Sequence, residues 1–139
     1  MGRNNHVLLN TGMGRMALIF DRHFSVDEVA KLIPWVETQL KRIRRLRTAL
    51  LRGMTEPTAV TDQLIPDSFP PQLFELFNLM RSFEERDILL RDPEIGMVHF
   101  PHLLGNGEEV LLCYLQGENE PYYYHSLADR YGLRLPLPS

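Results

Sequence analysis

Ser25 is followed three residues later by Glu28, with Phe24 before the pair and Val29 after it. This is the signature of a capping box with a hydrophobic staple: serine and glutamate side chains satisfy each other's backbone N–H groups while the two apolar residues fix the entry of the chain. Val29, Ile33, Val36, Leu40, Ile43, Leu46 and Leu50 then recur at steps of four and three, which places them in one stripe along a long helix. A stripe of that length demands a partner. Pro34 predicts a kink between Ala30 and Pro34, and Gly53 a C-terminal stop.

Met54 to Ser68, with Pro57 and Pro66, reads as a reversing loop. Asp67 or Ser68 can cap a second helix that accepts Pro70 and Pro71 in its first turn. Leu73, Leu76, Phe77, Met80, Phe83 and Leu90 continue the apolar stripe until Asp92-Pro93 ends it. Beyond Pro93 the period changes to short extended runs: Met97 to Pro101, Val110 to Leu115 and Tyr122 to Leu127. They are separated by Gly105-Asn106-Gly107 and by Gly117 to Pro121. The expected fold is therefore α+β, a long antiparallel helical hairpin packed with a C-terminal three-stranded antiparallel β-meander. Its organisation is one domain over 1–139, with a partly flexible lead-in at 1–23, the hairpin at 24–92, and the meander and a surface-lying tail at 93–139.

Composition sets outer bounds. With 44% apolar and 24% charged residues the chain is ordinary globular material, and a net charge of −3 disfavours a surface built wholly for nucleic acid or anionic lipid. One cysteine, Cys113, excludes an internal disulfide and fits a reducing compartment, so cytoplasm is expected. No apolar run reaches the length of a membrane span.

The reactive side chains gather late in the chain: His99, His102, Cys113, Glu118, His125 and Asp129 can ligate a metal or move protons. Their spacing matches no standard zinc module. A loop from Gly117 to Pro121 would pair Cys113 with His125 across a ladder, and with Glu118 and His99 these are the candidate ligands of a transition metal such as zinc. The plainer alternative makes Cys113 a buried small hydrophobe and lets His99 and His125 hydrogen-bond within the sheet. Tyr114, Tyr122, Tyr123, Tyr124 and Tyr131 could line a pocket, with Arg134, Tyr124 and Asp129 as ligand contacts, although strand tyrosines also serve packing alone. Lys41, Arg42, Arg44, Arg45, Arg47 and Arg52 form a basic run on the first helix. It could meet phosphates, or be a solvated face partly paired through Glu37 to Lys41. No nucleophile elbow, phosphate loop or zincin helix is present.

These residues resemble the uncharacterised, largely bacterial family catalogued as domain of unknown function 2203. The likeness runs from Phe24-Ser25, Glu28 and Leu32-Ile33-Pro34 to Arg91-Asp92-Pro93, then Gly96-Met97-Val98-His99-Phe100-Pro101 and Leu112-Cys113-Tyr114. It continues through Gly117-Glu118 and Tyr124-His125 to Gly132, Arg134 and Pro136. His99 stands where the family usually has Asp, and Tyr114 and Tyr124 replace tryptophans. The resemblance implies a shared fold and a shared site around Cys113, Glu118, His125 and Arg134; it brings no activity with it.

The reading that follows is a non-catalytic binding or protein-interaction module that forms a homodimer, since long amphipathic helices leave apolar edges for a second copy. The alternative is a metal-binding protein or small enzyme with its site at the meander. Nucleic-acid contact through the arginine helix is the weaker third reading.

Overall fold

The computed structural model describes residues 17–55, 70–121, 123–129 and 132–138. The fold is α+β. Helices α1 (Val26–Thr55) and α2 (Pro71–Glu85) precede strands β1 (Leu89–Asp92), β2 (Met97–Leu103), β3 (Glu109–Leu115), β4 (Tyr123–Ser126) and β5 (Leu135–Pro136). The strands form one sheet in the order β1-β2-β3-β4-β5, each pair antiparallel. The sheet thus has five strands where three were expected.

The capping box forms as read: Ser25 N–H donates to Glu28 Oε1 at 2.8 Å and Glu28 N–H to Ser25 Oγ at 3.1 Å. From this start α1 continues as one element through Pro34 and past Gly53 to Thr55, so the glycine is not the stop. The predicted loop begins two residues too early, since Met54 and Thr55 are still helical; the rest of it, with the Asp67 or Ser68 cap, lies outside the described residues, as does the lead-in up to residue 16. Pro70 is the N-cap of α2 and Pro71 its first residue, where a missing N–H costs nothing.

The first added strand comes from an early end to α2. Asp87 takes a left-handed conformation (φ 62°), Ile88 N–H donates to Phe83 O and Asp87 N–H to Glu84 O. These bonds make a Schellman motif, which satisfies the last carbonyls and turns the chain away. Leu90 therefore belongs to β1 and not to the helical stripe, and the hairpin boundary at 92 falls too late. The second added strand is the tail, where Leu135–Pro136 pairs with Tyr123 and Tyr124 instead of only extending over the surface.

Pleating gives the sheet two faces. Val98, Phe100, Leu112 and Tyr114, all fully buried, pack with Val29, Val36, Leu40, Ile43 and Phe83 of the helices in one core. Trp35 meets Phe83 with ring centroids 5.0 Å apart, and Arg42 meets Glu75 at 3.2 Å, so the two helices lie side by side. Glu37 turns from the expected Lys41 toward the sheet, accepting from the Tyr114 hydroxyl and from Gly117 N–H. Burial and that bond push the Tyr114 phenol far above its ordinary range. Gly96 cannot be replaced cheaply, since φ is +73° and an added Cβ would sit 2.5 Å from Gln116 Cβ.

The segment before α1 is also tied down. Glu109 on β3 accepts from Ile19 N–H at 2.7 Å and Phe20 N–H at 2.9 Å, and its other contact is His23 Nε2 at 2.7 Å. Residues 17–23 are therefore the part of the lead-in that the fold ties down.

Candidate metal centre

The sheet face turned away from the helices carries the reactive cluster. β2 and β3 set His99 directly opposite Cys113, and β3 and β4 set Leu111 opposite His125. Residues two apart on a strand share a face, so His125 lies diagonal to Cys113 and His99 beside it. The expected direct pairing of Cys113 with His125 is displaced by two residues, because Cys113 faces Tyr123. The reversal closes early around Glu118, whose N–H donates to Leu115 O and whose Oε1 accepts from Leu115 N–H at 2.8 Å. A slip of two keeps the same face, which is why the cluster survives it.

His99 and Cys113 are 0% exposed and His125 1%. One donor atom from each lies within 4.8 Å of the other two, and the imidazole rings sit 5.0 Å apart. Zinc bond lengths of about 2.0–2.1 Å to nitrogen and 2.3 Å to sulfur require donor separations of roughly 3.3–3.6 Å. The side chains need to close by about an ångström, within reach of small torsional changes. Neither ring nitrogen of His125 has a hydrogen-bond partner among the described residues. A buried imidazole left this way forfeits hydrogen bonds it would make to water, a cost that native interiors rarely accept without a reason.

Two arginines border the cluster. Arg91 Nε donates to His99 Nδ1 at 3.2 Å, and an Arg134 amino group donates to Cys113 O at 3.2 Å and to Glu118 Oε1 at 2.9 Å. Arg134 also lies over the Tyr123 ring, 4.5 Å from its centroid. Burial pushes the Cys113 thiol up, while the charge of Arg134 pulls the other way without reversing it. Burial works against the Arg134 charge, yet its bond to Glu118 and the nearby thiol hold the guanidinium more firmly protonated than usual.

The remaining candidates sit elsewhere. Glu118 is taken up by Leu115 N–H and Arg134, so it supports the cluster from the turn and is not among its donor atoms. His102 Nδ1 contacts Phe24 O at 2.7 Å. Asp129 holds a turn through Leu133 N–H, and Tyr124 packs partly buried against the helix-side core. Tyr114 is buried on that side too, whereas Tyr123 is on the other, so the three described tyrosines do not all share one face; Tyr122 and Tyr131 lie outside the described residues. Of the basic run, Arg42 pairs with Glu75 and Arg44 donates to Glu94 O. Arg91 had no assigned role because a helix to residue 92 would carry it away from the sheet; its place beside Asp92-Pro93 in the shared block was the available signal.

Residues 22–137 match the family described as "Uncharacterized conserved protein (DUF2203)". The chain belongs to that family. The match spans both helices and the whole sheet, so the DUF2203 region contains the His99, Cys113 and His125 cluster together with both flanking arginines. No curated protein and no solved structure matches the chain. No helix among the described residues is long and apolar enough to cross a membrane.

Proposed function

We propose that this DUF2203 protein binds a borderline transition-metal ion, zinc first, through His99, Cys113 and His125. The observation that supports it is His125, buried with both ring nitrogens unpartnered among the described residues and turned to the same face as a buried thiol and a second imidazole. A nitrogen and sulfur donor set suits zinc or copper and not magnesium or calcium. Three protein donors are the number that leaves a tetrahedral ion one open position. Glu118 and Arg134 serve as outer partners that hold the β3–β4 reversal and the tail against Cys113.

Elemental analysis of protein purified without chelator should find near-stoichiometric metal. Cobalt titration should raise a thiolate-to-metal charge-transfer band that Cys113→Ser abolishes and His125→Ala weakens. Folded wild-type protein that holds no zinc and develops no such band would sink the proposal.

A second reading, self-association, is favoured by exposed Leu51, Phe74, Phe77 and Met80 on the helices. In it α1 and α2 form an antiparallel hairpin whose outer face meets a second copy, with a groove of about 430 Å³ between α2 and β1 beside that face. Light scattering on a sizing column should then give twice the mass of one chain, and Phe77→Glu should return it to one.

A further inference from the structure

We infer that two copies of the chain pair through α2 about a two-fold axis, Arg81 of each copy meeting Glu84 of the other; this rests on the self-association reading above. The first reason is the face itself. Leu79 and Phe83 turn one side of α2 into the core, at 6% and 0% exposed. Phe77, Met80, Arg81 and Glu84 follow the i, i+3, i+4, i+7 spacing of a different face of that helix, and all four are exposed. Two apolar side chains bordered by a cation and an anion have the composition of an interface, an apolar centre with a charged rim.

The second reason is charge. Neither Arg81 nor Glu84 forms an ion pair among the described residues. They stand three positions apart with opposite signs, so the pair is its own complement when turned end for end. An antiparallel second α2, with the two-fold axis passing midway between them, sets Arg81 against Glu84 twice. A partner surface of a single sign would leave one of the two facing its like, which costs affinity.

The third reason is shape. Phe77 stands about 8 Å along the helix from that axis, at ~1.5 Å per residue. The same distance on the facing copy runs past Glu85, where α2 ends, toward Ile88 and β1. A groove of about 430 Å³ opens there, walled in part by Met80, Phe83, Ile88 and Leu90. The Phe77 ring of each copy fills the groove of the other, and a buried aromatic in a pocket is the usual anchor of binding energy.

The test runs the full chain through a concentration series on a sizing column with light scattering. Wild type should give twice the mass of one chain. Arg81→Glu and Glu84→Arg each turn two attractive pairs into two repulsive ones, so each alone should weaken dimerisation by about tenfold or more. Mixed in equal amounts, the two variants should dimerise with each other, because each then offers the sign that the other lacks. The chain carrying both changes should match wild type. Both positions are exposed, and circular dichroism establishes that each variant is folded before its mass is read. Single variants as dimeric as wild type would overturn the inference and leave self-association through another face standing. A mixture no more dimeric than its components would also overturn it. Wild type at the mass of one chain throughout would remove both.

Discussion

Replacing His125 with leucine separates a functional histidine from a structural one, because the two roles predict opposite signs. In metal-free protein the wild-type ring is 1% exposed and neither nitrogen has a hydrogen-bond partner among the described residues. Each buried unsatisfied polar group costs about 1–3 kcal/mol, and leucine, of similar volume, carries none. Against this stands the lost ring contact with His99 at 5.0 Å, worth about 0.5–1.5 kcal/mol if it behaves like other ring pairs. With two such nitrogens, the metal-free variant should therefore be more stable than metal-free wild type by roughly 0.5–5.5 kcal/mol. Zinc at a thousandfold excess over its dissociation constant adds about 4 kcal/mol to a protein that binds it only when folded. Wild type should gain that increment and the variant should not, so the stability gap shrinks or reverses. Urea unfolding of chelator-treated and zinc-supplemented samples of both proteins measures all the quantities. A metal-free His125→Leu chain that is less stable than wild type by about 2 kcal/mol or more, in the manner of ordinary core damage, would refute the reasoning.

The raised thiol of Cys113 makes metal binding compete with a proton, so zinc affinity should climb by up to about tenfold per pH unit below the thiol pKa. A chelator-competition titration across ~pH 6 to 8 should show that slope, and a flat profile would count against Cys113 as a ligand. Tyr114→Phe removes the hydroxyl that donates to Glu37 and should cost about 1–3 kcal/mol in urea unfolding while leaving zinc affinity unchanged. Glu109→Ala releases Ile19, Phe20 and His23 together, so limited proteolysis should begin to cut within residues 17–23, which stay resistant in wild type.

Much of the helical half was legible because its signals are local. The Ser25–Glu28 reciprocity and the stripe from Val29 to Ile43 act over about one to four turns, and the structure keeps them. The end of α2 was not legible, since Leu90 fits a helical stripe as well as a strand, and the deciding event is a left-handed Asp87 where glycine is the usual marker. β5 escaped notice because Leu135–Pro136 is too short to show a period and draws its strand character from Tyr123 and Tyr124. At the site, Cys113 and His125 could be placed on one face from alternation together with the Gly117–Pro121 loop, although the direct pairing expected between them is displaced by two residues. His99 joined them through the β2–β3 register, while Glu118 fell away because the β3–β4 turn uses its carboxylate. Arg91 needed the correct end of α2 before it could be seen at all.

The division of the sheet into a helix-backed face and a reactive face has a consequence for how such a protein can change. Positions 99, 113 and 125 are points on a lattice whose spacing is set by backbone hydrogen bonds between β2, β3 and β4. Adjacent strands lie about 4.8 Å apart whatever side chains they carry. The core residues Val98, Phe100, Leu112 and Tyr114 hold that lattice from behind, so a substitution in front alters the donor set without moving its coordinates. Exchanging the imidazole of His99 for a carboxylate would turn two nitrogens and a sulfur into nitrogen, oxygen and sulfur at the same three points. On the metal-binding proposal, the preference for one ion over another then becomes adjustable one position at a time, with the fold acting as a fixed mounting.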